Sequence, residues 1–165
     1  CRKIKKISMV RRFLLSLALL ALPVAAHALT SEDILAEARA DCAGFEAGSL
    51  TVMEGAVQEV ELTGTGPAEV LVDWSKFNCS SAASLWGGTG GQTLSLLAGG
   101  IRQDWLVLGW QVAQFGQPVL LVQLHGSECG GSGSQPCVEA LVWGGESFLS
   151  VRAAGGDEDT AEGGQ

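Results

Sequence analysis

Polar and apolar positions change rhythm several times along this chain. A largely apolar run, Phe13 to Ala26, follows Arg11 and Arg12 and ends in Ala26-His27-Ala28. From Ser31 the apolar positions Ile34, Leu35, Ala38 and Cys42 recur near helical spacing, which predicts a short helix over about 31–42. Ser31 is its expected N-cap, Glu32 and Asp33 supply first-turn acids, and Gly44 is the expected stop. From Val57 the rhythm becomes two: Val57, Glu59 and Glu61 alternate with Gln58, Val60 and Leu62, as in a half-buried strand ending at Thr63-Gly64. Glu69 to Trp74 is a short apolar run suited to a central strand, and Lys76 to Gly91 reads as turns.

Further strands are expected at Gln92–Leu97, Trp105–Phe115 and Val119–His125, with a last hairpin of Val138–Trp143 and Ser147–Val151 across Gly144-Gly145. Phe45 to Val57 is mixed and turn-rich. About seven strands joined by short Gly-rich links predict a mainly β fold: an antiparallel sheet, sandwich or small barrel with one short N-terminal helix. After Arg152 no apolar residue is larger than alanine, so 152–165 is expected to be a disordered acidic tail, leaving 29–151 as a single β-rich domain.

The first run has the form of a secretory signal peptide: a basic start, an apolar core too short to span a bilayer, and an A-x-A site. Met9 is the expected start, residues 1–8 are read as upstream, and cleavage is expected after Ala28. The product would be an exported protein of the periplasm or medium without a stable membrane anchor. Residues 29–165 hold four basic residues against eighteen acidic ones, a formal charge of −14. That argues against nucleic acid as a partner, because phosphates demand Lys and Arg. It suits solubility and allows a basic protein, a lysozyme-type enzyme for instance, as a target.

Four cysteines follow Ala28: Cys42, Cys79, Cys129 and Cys137. In an exported chain this reads as two disulfides with three possible connectivities, Cys42–Cys79 with Cys129–Cys137 being the most economical. A thiolate metal site is disfavoured, since there is no CxxC pair.

The candidate chemistry is sparse. Glu61, Thr63, Thr65, Gly66 and Glu69 occupy relative positions 1, 3, 5, 6 and 9 of one loop, a spacing that lets alternate side chains converge on calcium. The stretch resembles the D-x-[DN]-x-D-G-x-x-[DE] loops of FG-GAP-type repeats and dockerins. It also resembles the DLTGDGxxDxVVD…C opening of small uncharacterised exported proteins of Gram-negative bacteria. CSSAASLWGGTGG and LHGSECG…PC…ALVW belong to the same pattern, so the resemblance covers most of Val57 to Trp143. It implies a calcium loop with Glu61, Thr63, Thr65 and Glu69 at ligand positions, and no activity. Two central carboxylates are threonines here and Pro67 stiffens the turn, so a structural turn is the stronger expectation, with no cofactor.

No G-x-S-x-G elbow, HExxH, P-loop or dinucleotide fingerprint occurs. His125 is the only histidine after Ala28; with Ser127 and Glu128 it spells a triad in composition, but strand neighbours are expected to point apart. Gly87 to Gly91 reads as a flexible turn rather than an anion-binding nest. Five tryptophans stand in a chain without tyrosine, and on one strand Trp105 and Trp110 would face opposite sides, one available to a partner or sugar. The expectation is a non-enzymatic exported protein, a binding or envelope-associated module. The alternatives are a calcium- or ligand-binding module and an inhibitor of a basic lysozyme-type enzyme.

Overall fold

A computed structural model describes residues 28–132 and 135–150. The expected leader before Ala28 and the acidic tail of 152–165 lie outside the described residues.

Helix α1 (Ser31–Gly44) is capped one residue earlier than expected. Thr30, in extended conformation, is the N-cap, and its hydroxyl accepts the Asp33 N–H. The Asp33 carboxylate returns to the Thr30 N–H at 2.8 Å and to its hydroxyl at 2.7 Å, closing a capping box with Asp in place of the usual Glu. Ile34, Leu35, Ala38 and Cys42 form the buried face, as their spacing predicts.

The β part consists, among the described residues, of β1 (Leu50–Val52), β2 (Val57–Val60), β3 (Glu69–Asp73), β4 (Phe77–Cys79), β5 (Gly87–Gly88), β6 (Gly91–Ala98), β7 (Ile101–Val107), β8 (Gly109–Gln114), β9 (Pro118–Leu124), β10 (Cys137–Trp143) and β11 (Phe148–Ser150). They form three antiparallel sheets. The first sheet runs β2-β3-β6-β7, with β5 continuing the β3 side of β6. The second runs β11-β10-β9-β8, and β1 with β4 makes a two-stranded ribbon. The described residues are thus mainly β with one α-helix and two disulfides, as the sequence predicts.

Three layers result. The main core lies between the two large sheets: Leu71, Leu94 and Leu96 from the first meet Leu120, Val122 and Leu141 from the second. A smaller core lies on the other face of the first sheet, where Ile34, Leu35 and Ala38 of α1 pack on Val72, Trp74, Phe77 and Leu97. Alternation on β3 and β6 sorts side chains between the two cores. Each fully buried leucine contributes roughly 1.5–3 kcal/mol on removal from water.

Polar links pin the layers. On the helix side, Arg102 of β7 reaches Glu37 of α1 at 2.5 Å and Asp104 at 2.9 Å, with its guanidinium 5.5 Å from the Trp74 ring centre. Burial opposes its charge, but hydrogen bonds and attraction from Asp104 and Glu37 outweigh that and raise its pKa above the ordinary value. Between the large sheets, Asp73 accepts from Trp110 Nε1 at 3.0 Å. Gln103 of β7 pairs with the Phe148 backbone, accepting its N–H at 2.9 Å and donating to its carbonyl.

Several expectations change. Trp105–Phe115 is not one strand: the chain breaks at Leu108, whose N–H bonds to Gln123 of the second sheet at 2.7 Å. β7 and β8 therefore belong to different sheets. Trp105 and Trp110 both pack against the main core instead of facing opposite ways. The mixed stretch 45–57 holds β1, and the turn-like 76–91 holds β4 and β5. Gly87-Gly88 pairs with Gly91 and Gln92, so the glycine run is a hairpin rather than a loose turn. A Cβ on Gly87 would run into the Gln92 side chain. The strand count exceeds seven because two- and three-residue pairings leave no periodicity to read.

Both economical disulfides are present, Cys42–Cys79 and Cys129–Cys137. The first joins the end of α1 to β4 over a sequence separation of 37, the second closes a separation of 8. Gly48 lies so close beneath the first that a Cβ would stand 2.7 Å from Cys79 Sγ and from the Cys42 carbonyl. Replacing Cys42 and Cys79 together by alanine should cost about 4 kcal/mol in urea unfolding, against about 2.5 kcal/mol for Cys129 and Cys137. Equal losses would mean that loop length does not govern these bridges.

Candidate functional site

The expected calcium loop joins β2 to β3. Its organising group is the Glu69 carboxylate, only 4% exposed although it opens a strand. Oε2 accepts the backbone N–H of Leu62 at 2.7 Å and of Thr63 at 3.2 Å. Oε1 accepts from the Thr63 hydroxyl at 2.6 Å. The Thr63 oxygen also lies 2.9 Å from the Thr65 carbonyl and accepts the Thr65 N–H at 3.4 Å. This explains why β2 stops at Val60 rather than running on to Thr63. The Leu62 N–H goes to a side chain, not to the ladder, while the Leu62 side chain stays in the main core.

Of the four expected ligand residues, the structure brings together Thr63, Thr65 and Glu69 and leaves Glu61 exposed on the strand side. Thr63 and Glu69 are engaged with each other. A cation at this loop would have to compete with three donors for the Glu69 oxygens. Among the described residues no group of three or more His, Cys, Asp or Glu is placed to hold a metal ion. No basic side chain among the described residues pairs with Glu69, so its neutralisation falls entirely on hydrogen-bond donors.

Around this carboxylate three hairpin ends converge. The 63–69 loop, the β6–β7 turn at Gly99 and the β10–β11 turn at Gly145 enclose a cleft of about 200 Å³, lined also by Pro67, Ala68 and Trp143. Gly99 and Gly145 have φ of 57° and 100°, conformations that favour glycine and keep both turns tight. Trp143 is half-buried, its ring 5.1 Å from Phe148. Beyond the Pro67-Ala68 ridge lies a second hollow of about 380 Å³, bounded by Leu29, Thr30, Val70, Leu97 and Gly100. The sequence marked the threonines and Glu69. It placed a hairpin at Gly144-Gly145 but did not bring that turn, the Gly99 turn or Trp143 to the loop, which they reach only through the packing of one sheet on the other. Gly-Gly at both turns was the available signal.

His125 departs from expectation. Its Nδ1 lies 2.8 Å from the Ser127 hydroxyl, because the chain leaves β9 directly into a short 3-10 turn over Gly126–Cys129. The turn folds the two side chains together where an extended strand would separate them. Gly126 makes this possible: a Cβ there would strike the Ser132 and Gln135 carbonyls. The pair is exposed, and none of the cavities described here is lined by it. Among the described residues no helix is long and apolar enough to cross a membrane.

Comparison with known proteins gives no match: no family model, no curated protein and no solved structure is similar to this chain.

Glu69→Ala should destabilise the fold by about 2–3 kcal/mol in urea unfolding, since it strands two buried backbone donors and removes a charge-assisted acceptor. Millimolar calcium should leave the wild-type midpoint unchanged; a calcium-dependent rise lost in the variant would make this loop an ion site.

Proposed function

We propose that this chain is an exported periplasmic protein that acts by binding rather than by catalysis, with the cleft at the loop end of the two sheets as its ligand site. The observation that carries this reading is the cleft's composition. A buried carboxylate without a cationic partner, two threonines and a tryptophan ring come from separate hairpins into one concave space. Ligand hydroxyl groups bond to the threonine oxygens, an ammonium group reaches the carboxylate only by displacing the Thr63 hydroxyl from Glu69, and a flat or cationic group packs on an indole face. At about 200 Å³ the space suits a small polar molecule, not a drug-sized or polymeric one. Two disulfides support export, because they form and persist in oxidising compartments.

The calcium reading ranks second: the loop spacing favours it, and the existing Thr63–Glu69 bond weighs against it. Inhibition of a basic lysozyme-type enzyme rests on the charge of 29–165 and draws on no feature of the cleft.

Amide-detected NMR of residues 29–165 with glucose, glycerol and choline as probes tests the site. Saturable shifts should concentrate at Thr63, Thr65, Gly99 and the Trp143 indole, and Trp143→Ala should abolish them while the Trp74 indole signal stays native-like. Saturable shifts that bypass the cleft, or silence from every probe and from calcium, would defeat the assignment. Export is read separately, by fusing residues 9–28 to alkaline phosphatase; cytoplasmic retention of the fusion would sink that half of the proposal.

A further inference from the structure

In a chain this acidic, one exposed sheet edge lies wholly within an uncharged span: residues 105–127 contain no Asp, Glu, Lys or Arg. The span builds the end of β7, all of β8, the turn that follows and all of β9. β8 pairs with β9 and with no other described strand, so one side of its backbone is open. Open edges are ordinarily guarded by charge, proline, a bulge or shortness. The other long edges of the large sheets follow that rule among the described residues: β2 carries Glu59, and β7 carries Arg102 and Asp104. β8, Gly-Trp-Gln-Val-Ala-Gln, has six residues and none of these guards.

Its surroundings are apolar and exposed. Leu108 at one end is 41% exposed and Phe115 at the other 71%. The outer face beside it holds a shallow hollow of about 230 Å³ bordered by Gln111, Leu121, Gln123 and Val138, the last 65% exposed.

We infer that β8 is the docking edge for a second copy of this chain, the two β8 strands pairing antiparallel about a two-fold axis. Charge selects the occupant. Two copies, each at −14 over residues 29–165, repel one another wherever acidic faces meet. The uncharged span lets them approach without opposing like charges. An open strand is self-complementary under a two-fold, which closes the assembly at two. The sheet pleat restricts the register: outward side chains must meet outward ones, so the axis passes through a residue, not between two. Placed on Gln111, it sets that side chain against its own copy and Ala113 against Gly109, both small. The outcome is an eight-stranded sheet across two copies, with the open edge removed.

Sedimentation velocity of residues 29–165 tests this, and the expected species has twice the chain mass. Raising salt from about 10 mM to about 150 mM should strengthen it, because the Debye length falls from about 30 Å to about 8 Å and long-range repulsion is screened. Gln111→Lys sets two like charges face to face at the axis and should weaken the dimer by at least about tenfold. Glu59→Lys on the β2 edge, and Trp143→Ala in the cleft, should leave it unchanged. Both lysine substitutions lie at solvent-facing positions, and circular dichroism checks that each variant folds. A monomer at about millimolar concentration overturns the inference. So does a dimer indifferent to Gln111→Lys, or one that salt dissociates. Because Trp143→Ala separates the two sites, loss of ligand binding and loss of the dimer are independent results.

Discussion

Burying both faces of β6 is the constraint on which the other layers depend. Leu94, Leu96 and Ala98 point into the main core, while Ser95 and Leu97 point toward the helix. A strand with no wet face needs a cover on each side, and here the second sheet supplies one and α1 the other. Ser95 is the one polar group in the buried run. Its hydroxyl is fully buried and accepts Trp74 Nε1 at 2.8 Å. The bond satisfies two groups that would each cost energy unpaired, and it fixes the indole that Arg102 then covers. Helix, disulfide, cation and ring are thus successive layers over one strand.

The sequence made the strongly periodic parts legible and most of the short ones invisible, the last hairpin strand β11 being an exception. Helical spacing at Ile34, Leu35, Ala38 and Cys42 located α1, and apolar runs located β3, β6, β9 and β10, each within a residue or two. What failed was anything set by contact instead of period. Thr30, not Ser31, caps the helix because only Thr30 stands where its hydroxyl and the Asp33 carboxylate can exchange hydrogen bonds. β1 and β4 are three-residue pairings over which alternation cannot be read. The run Trp105–Phe115 looks like a single strand, since nothing in its side chains marks Leu108 as the residue where the chain changes sheets.

At the candidate site the same division holds. Loop spacing put Thr63, Thr65 and Glu69 in one place, because they are neighbours along the chain. Trp143 lies far off in sequence and joins them through the packing of one sheet on the other. His125 and Ser127 show the converse error. Strand geometry would separate them, and a buried glycine between them lets the backbone turn and bring them into contact.

The passage from β7 to β8 has a further meaning for how this molecule can vary. Elsewhere the chain reverses through glycine turns at 99–100, 116 and 144–145, exposed ends where extra residues could be absorbed. At Leu108 there is no such slack: one residue spans the change of sheet, and its backbone is already bonded to β9. A single peptide unit therefore carries the chain from one layer to the other, with the Asp73–Trp110 and Gln103–Phe148 bonds and the main core holding the layers beside it. Length changes in related chains belong at the hairpin ends that frame the cleft. The cleft can thus be reshaped freely, while the frame that carries it cannot.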